Sequence, residues 1–230
     1  MGTISLEHSS RLYWLGRYTE RAFTTLGALQ ELYDKMIDHG AGYTDYLTAF
    51  GLTDKYGSSS DFFRSFLYEE TNRDSVAYSL ERAYDNGIVL REEISSEALS
   101  FLQMAKDTLN KSSHSNNIRL SLLPLRDTFY SFWGCIMDQV YDEEAWNLIF
   151  CGKSMERMML SLRLQVPYAD AVQEFQKLCR RLRFAPEGTP YRCDPERLDK
   201  LTYFLNSEDN YMSHTDQAIG ELERIFEVQP

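Results

Sequence analysis

The sequence predicts an all-α protein. Apolar positions recur every three or four residues along most of the chain. No segment alternates apolar and polar residues for a useful length. Breaks in the helical period fall where Gly, Ser, Asp, Asn or Pro cluster.

The first element shows the logic. Leu12, Leu15, Thr19, Ala22, Leu26, Leu29 and Tyr33 form a stripe whose spacing alternates three and four. No proline interrupts it, so the spacing predicts a helix over about 5–38, roughly 50 Å long at the rise of an α-helix. The glycine-rich HGAGYTD ends it. A short helix is expected through Tyr46–Phe50. KYGSSSD then reads as a loop, with Ser60 or Asp61 as N-cap of a helix over Phe62–Glu69. Another stretch covers Asp74–Ile94, and Ser95-Ser96-Glu97 restarts the helix with a capping serine. That helix fades at KSSHSNN (Lys111–Asn117). The next runs from Ile118 to about Tyr141, with Pro124 near its first turns. Asp142-Glu143-Glu144 places acids where a helix N-terminus favours them and opens a helix over about 143–166, stopped at Val166-Pro167. Two or three shorter helices are expected after it, interrupted by APEGTPYRCDP. A chain of 230 residues can bury one sizeable core, and a single helical domain over 1–230 is the expectation.

Charge narrows the partners. The net charge is −11 and the pI about 4.9, the opposite of the basic footprint that nucleic acids or anionic membranes select. No apolar run reaches the roughly 18–20 residues that span a bilayer. The N-terminus lacks the basic-then-apolar layout of a signal peptide. Cys135, Cys151, Cys179 and Cys193 form no CxxC pair and read as reduced thiols of a cytoplasmic protein.

Two segments repeat each other. LYWLGRYTER (12–21) and LIFCGKSMER (148–157) share the frame Leu-x-x-x-Gly-basic-x-x-Glu-Arg. Aligning 11–30 with 147–166 gives five identities, Leu12/Leu148, Gly16/Gly152, Glu20/Glu156, Arg21/Arg157 and Leu26/Leu162, where average composition gives roughly one or two. Each Glu follows its Gly by four residues, one turn along the same face, and borders the buried stripe. A carboxylate on a core edge pairs with an arginine and fixes helix register, which is one reading. The other has the two helices packed about a pseudo-two-fold axis, with Glu20, Arg21, Glu156 and Arg157 at one site for an amine, a cation or an anion. A di-iron version is disfavoured, because Phe23 and Met159 stand where Glu-x-x-His needs histidine.

Other chemistry is missing from the sequence. It has no GxxxxGK[ST] or GxGxxG phosphate loop, no HExxH or paired CxxC, and no GxSxG elbow. The four histidines are scattered. Neither a metal nor an organic cofactor is expected. The basic run Lys177–Phe184, with Arg192 nearby, reads as a solvated helix face, an acidic partner or a phosphate being the alternative.

RLYWLGRYTERA resembles the opening of the bacterial alpha-E domain family, an all-helical family named for its helices and its Glu-Arg motif. Phe66–Leu102 resembles that family's Phe-Leu, Asn-x-x-Ser and Arg-Glu-x-Ile-Ser-x-Glu pattern through Asn72, Ser75, Asn86, Arg91, Glu92, Ser95 or Ser96, and Glu97. EEAWNLIFCGKSMER resembles its second Gly-x-x-x-Glu-Arg segment. Gly87-Ile88 stands where the family has Ala-Arg, and the likeness runs to about Leu164. The resemblance implies association with a circularly permuted ATP-grasp protein and ATP-dependent amide-bond formation in making or modifying a small peptide. The expected role is then a helical accessory or partner of the ligase that holds a peptide or amino-acid intermediate. Glu20 and Glu156 would take an amine, and Arg21, Arg91 and Arg157 a carboxylate, with Asn86 beside them. The alternatives are a stand-alone enzyme with a carboxylate general base, or a purely structural bundle.

Overall fold

The computed structural model describes residues 4–40, 42–115, 118–185 and 189–226. In chain order it has twelve helices among the described residues: α1 (Leu6–His39), α2 (Thr44–Ala49), α3 (Ser59–Tyr68), α4 (Val76–Val89), α5 (Arg91–Ile94), α6 (Ser96–Ser112), α7 (Ile118–Gln139), α8 (Glu143–Arg163), α9 (Tyr168–Leu182), α10 (Pro195–Phe204), α11 (Glu208–Ser213) and α12 (Thr215–Glu223). The all-α prediction holds. No strand occurs among the described residues, only one isolated antiparallel bridge between Cys193 and Phe226.

The chain divides into two compact units, Met1–Arg17 with Asp142–Pro230, and Tyr18–Tyr141. Helix α1 contributes to both. In the first unit α8 packs against α9 and α12, and α10 against α11 and α12. Leu12, Leu15, Leu148, Met158, Leu178 and Leu222 fill its core. Tyr13, Tyr191 and Phe226 form an aromatic cluster beside it, with ring centroids 4.4–5.5 Å apart. Asp194 N donates to Ile225 O (2.8 Å), which fastens the irregular segment before α10 to the chain after α12. Tyr211 ties α11 to the end of α8, donating to Ser161 O (3.2 Å) and Val166 O (2.9 Å).

In the second unit α6 lies along α7 and against α4, and α3 packs on α4 and α6. Leu26, Phe62, Phe66, Leu80, Leu102, Phe129 and Phe132 form the core.

Local chemistry sets the boundaries, and four features differ from the sequence reading. The cap of α3 is Ser58, not Ser60 or Asp61. Its hydroxyl accepts from Asp61 N (3.1 Å), so the two later residues lie within the first turn. The stretch 74–94 is two helices, because the backbone turns at Leu90 and α5 starts afresh. Four helices follow α8, where two or three were expected. The capping serine of the restart is Ser95. It accepts from Ala98 N (3.3 Å) at φ 78°, a left-handed conformation unusual for a residue with a side chain. Asp142 caps α8 through Ala145 N (2.8 Å). Helix α8 stops at Arg163, three residues before the Val166-Pro167 stop, with Gln165 at φ 46° and Val166 N reaching back to Ser161 O (3.1 Å). Pro186–Gly188 of the APEGTPYRCDP segment lie outside the described residues.

Candidate functional site

Glycine is the key to the site in the first unit. A Cβ on Gly16 would sit on the carbonyl oxygen of Ile149, and a Cβ on Gly152 on that of Tyr13, with Arg17 N at 3.0 Å. Each glycine therefore meets the carbonyl three residues ahead of the other. The contact is reciprocal, and the two backbones touch without side chains between them.

That approach brings residue 17 under α8. Arg17 Nε and Nη2 both donate to Oε2 of Glu156, at 2.9 and 2.8 Å. The carboxylate is buried and the guanidinium nearly so. Arg17 also stands over the rings of Trp14 (5.1 Å) and Tyr13 (5.9 Å). Burial opposes the guanidinium's charge, but the Glu156 carboxylate and Tyr13 outweigh it, so Arg17 is held above its ordinary pKa. Burial likewise raises Tyr13 well above the usual phenol range and pushes Tyr191 up to about 12 and Cys151 up to about 12. At neutral pH the Arg17–Glu156 pair is charged and stands beside the neutral side chains of Tyr13, Tyr191 and Cys151. The pair ties α1 to α8.

The candidates named from sequence divide between the two units. Glu156 pairs with Arg17, a residue outside the candidate set. Glu20 belongs to the second unit and is fully buried on α1. Arg21 follows it, half-buried, with its guanidinium over the Tyr18 ring (5.6 Å). Arg157 is half-buried on α8 in the first unit. Asn86 sits in the last turn of α4, where its carbonyl accepts from Leu90 N (3.0 Å). Arg91 is exposed and donates from Nε to Ser96 Oγ (2.8 Å), bracing the restart of α6. The signal for Arg17 was in the frame itself: both copies place a basic residue directly after the glycine, Arg17 and Lys153. Tyr191 gave no such signal, since it comes from an irregular segment distant in sequence.

The basic run is α9. Lys177 pairs with Glu174 (2.7 Å), and Arg181 stacks over Trp146 (4.5 Å), while Arg180 and Arg183 face solvent. Among the described residues no three His, Cys, Asp or Glu side chains gather as a metal ion would need, and no helix is long and apolar enough to cross a membrane.

The second unit carries a different feature. On α7, Leu123, Tyr130 and Met137 recur every seven residues, and Tyr141 follows just beyond the helix end; the four are 50–88% exposed. Exposed Asp127 and Gly134 lie between them on the same face, and Asp138 flanks it. A Cβ on Gly134 would meet nothing within 4 Å, so the face has room at its centre. The three apolar residues stand one heptad apart, with Asp127 and Gly134 between them, while Tyr130 meets Phe23 edge to face (5.2 Å) and accepts from Arg126 (3.4 Å).

Comparison with known proteins gives one match. The model of the Alpha-E family, a predicted alpha-helical domain with a conserved ER motif, matches residues 8–221. The match carries the likeness past Leu164 into α12. No curated protein matches, and no solved structure matches.

Proposed function

Because this chain belongs to the alpha-E family, we propose that it is a helical partner of an ATP-grasp amide-bond ligase in the making or modification of a small peptide. The observation that carries the reading is the outer face of α7. Leu123, Tyr130 and Met137 are exposed one heptad apart, beside Asp127, Asp138 and the Arg126 that donates to Tyr130. Such a face offers apolar side chains to the ligase, flanked by charges of both signs. The sequence carries no phosphate loop, which fits a division of labour in which the ligase handles ATP.

Glu156 is engaged with Arg17 and in this reading helps to fix the helix frame. Glu20, Arg21, Asn86 and Arg91 of the second unit are proposed to hold the peptide or amino-acid intermediate. Adding the purified chain to the ligase is expected to raise its amide-forming rate, and Leu123→Glu with Tyr130→Glu to abolish that effect while the helical content stays unchanged. A ligase indifferent to the chain would overturn the partner role. Glu20→Gln, folded and fully supporting the ligase, would remove Glu20 from the ligand site.

A further inference from the structure

A cleft of about 1180 Å³ opens in the second unit between α1, α3, the end of α6 and α7. That volume accommodates a ligand of drug size. Its inner wall is apolar: Leu29, Phe63, Leu67 and Leu122 are buried and line it. At the mouth Tyr33 and Ile37 remain exposed, although Tyr33 meets Phe63 edge to face at 5.6 Å. Large apolar groups left wet around a concave surface mark a place that something else covers.

The charges at the rim indicate what that something carries. Both carboxylates there are already engaged by hydroxyls of their own segment. Asp61 Oδ2 accepts from Ser58 Oγ (2.8 Å), and Glu69 accepts from Ser65 (2.5 Å) and Thr71 (3.0 Å). The Ser65 and Thr71 hydroxyls hold the Glu69 carboxyl below its ordinary pKa. Tyr68 is fixed by a hydrogen bond with the Ser112 hydroxyl (3.2 Å). Arg64, on the exposed face of α3 and lining the same cleft, has neither a carboxylate nor a ring partner among the described residues. Its fork of donors matches a carboxylate or a phosphate.

We propose that this cleft binds an amphipathic anion, with an apolar chain or ring against Leu29, Phe63, Leu67 and Leu122 and a carboxylate or phosphate on Arg64. The inference is independent of the ligase reading, since it uses neither the outer stripe of α7 nor the Glu-Arg motifs.

The test uses the full chain and four probes. Anilinonaphthalene sulfonate reports on the cleft by fluorescence, and decanoate, decyl phosphate and decanol compete for it. Decanoate or decyl phosphate is expected to displace the dye about tenfold more tightly than decanol, the scale of a charge-assisted hydrogen bond. Which of the two binds better separates a carboxylate ligand from a phosphate one. Arg64→Gln is expected to erase the advantage of the anions and leave decanol unchanged. Ile37→Glu, a substitution at an exposed site that folding tolerates, is expected to weaken both anions. Equal affinity of anions and decanol, anion binding unaltered in Arg64→Gln, or no displacement by any of the three would overturn the proposal.

Discussion

Gly16 and Gly27 lie eleven residues apart on one helix and should respond oppositely to the same substitution. Alanine is the better helix former by about 1 kcal/mol. At Gly27 the new methyl meets nothing within 4 Å, so Gly27→Ala should raise the unfolding free energy by about that amount. At Gly16 the methyl lands on the Ile149 carbonyl, and Gly16→Ala should lower the melting temperature by several degrees. Paired thermal melts check both signs. Glu156→Gln leaves Arg17 as a buried, uncompensated charge. It should cost about 3–5 kcal/mol in denaturant titration, the penalty for breaking a buried pair from one side. Tyr191 titrates higher in the folded chain than in the unfolded one. Its contribution is complete below the ordinary phenol pKa of about 10 and is lost as pH rises toward about 12. Stability should fall over that window, and Tyr191→Phe should flatten the fall. At this scale the sequence exposed the glycines and glutamates through their repetition. The frame also marked Arg17 as the basic residue after its glycine, but which carboxylate that arginine meets depends on how two helices cross.

Element boundaries were legible wherever a side chain makes them. Asp142, Ser95 and the glycine-rich end of α1 stand close to where their chemistry places them. The cap of α3 was misplaced by two residues because Ser58, Ser59 and Ser60 are equivalent as letters. Only the backbone conformation of Ser58, extended at φ −159°, selects it. Ser95 combines two demands, since its hydroxyl caps α6 while its backbone is left-handed. Ser95→Ala loses the cap and keeps the strain, so it should cost about 1 kcal/mol or more. Ser95→Gly loses the cap but relieves the backbone and should cost less. Chemical denaturation of the two variants side by side decides the order. The exposed stripe of α7 illustrates the limit of periodicity. Helix α7 has apolar residues on both the inner and the outer face, and the sequence does not say which of them a neighbour covers.

For the whole molecule, the all-α class, the acidic character and the likeness to the alpha-E family were readable from sequence. The division into two units was not. The stripe of α1 runs from Leu12 to Tyr33 without a break, yet its residues up to Arg17 serve one core and those from Tyr18 serve the other. A continuous period conceals a change of packing partner. Each unit has its own buried core, so Gly16→Ala should speed amide exchange along α8 and α9 more than along α6 and α7.

The proposed ligase partnership requires the Glu156–Arg17 pair to be a joint and the outer face of α7 to be the docking surface. The most direct test measures the affinity of the ATP-grasp ligase for two variants in parallel, Leu123→Glu with Tyr130→Glu, and Glu156→Gln, each scored only on its folded fraction. The account predicts that the α7 variant loses the ligase at an unchanged melting temperature, while folded Glu156→Gln binds as the parent chain does. Normal binding by the α7 variant, with binding abolished in folded Glu156→Gln, would contradict it.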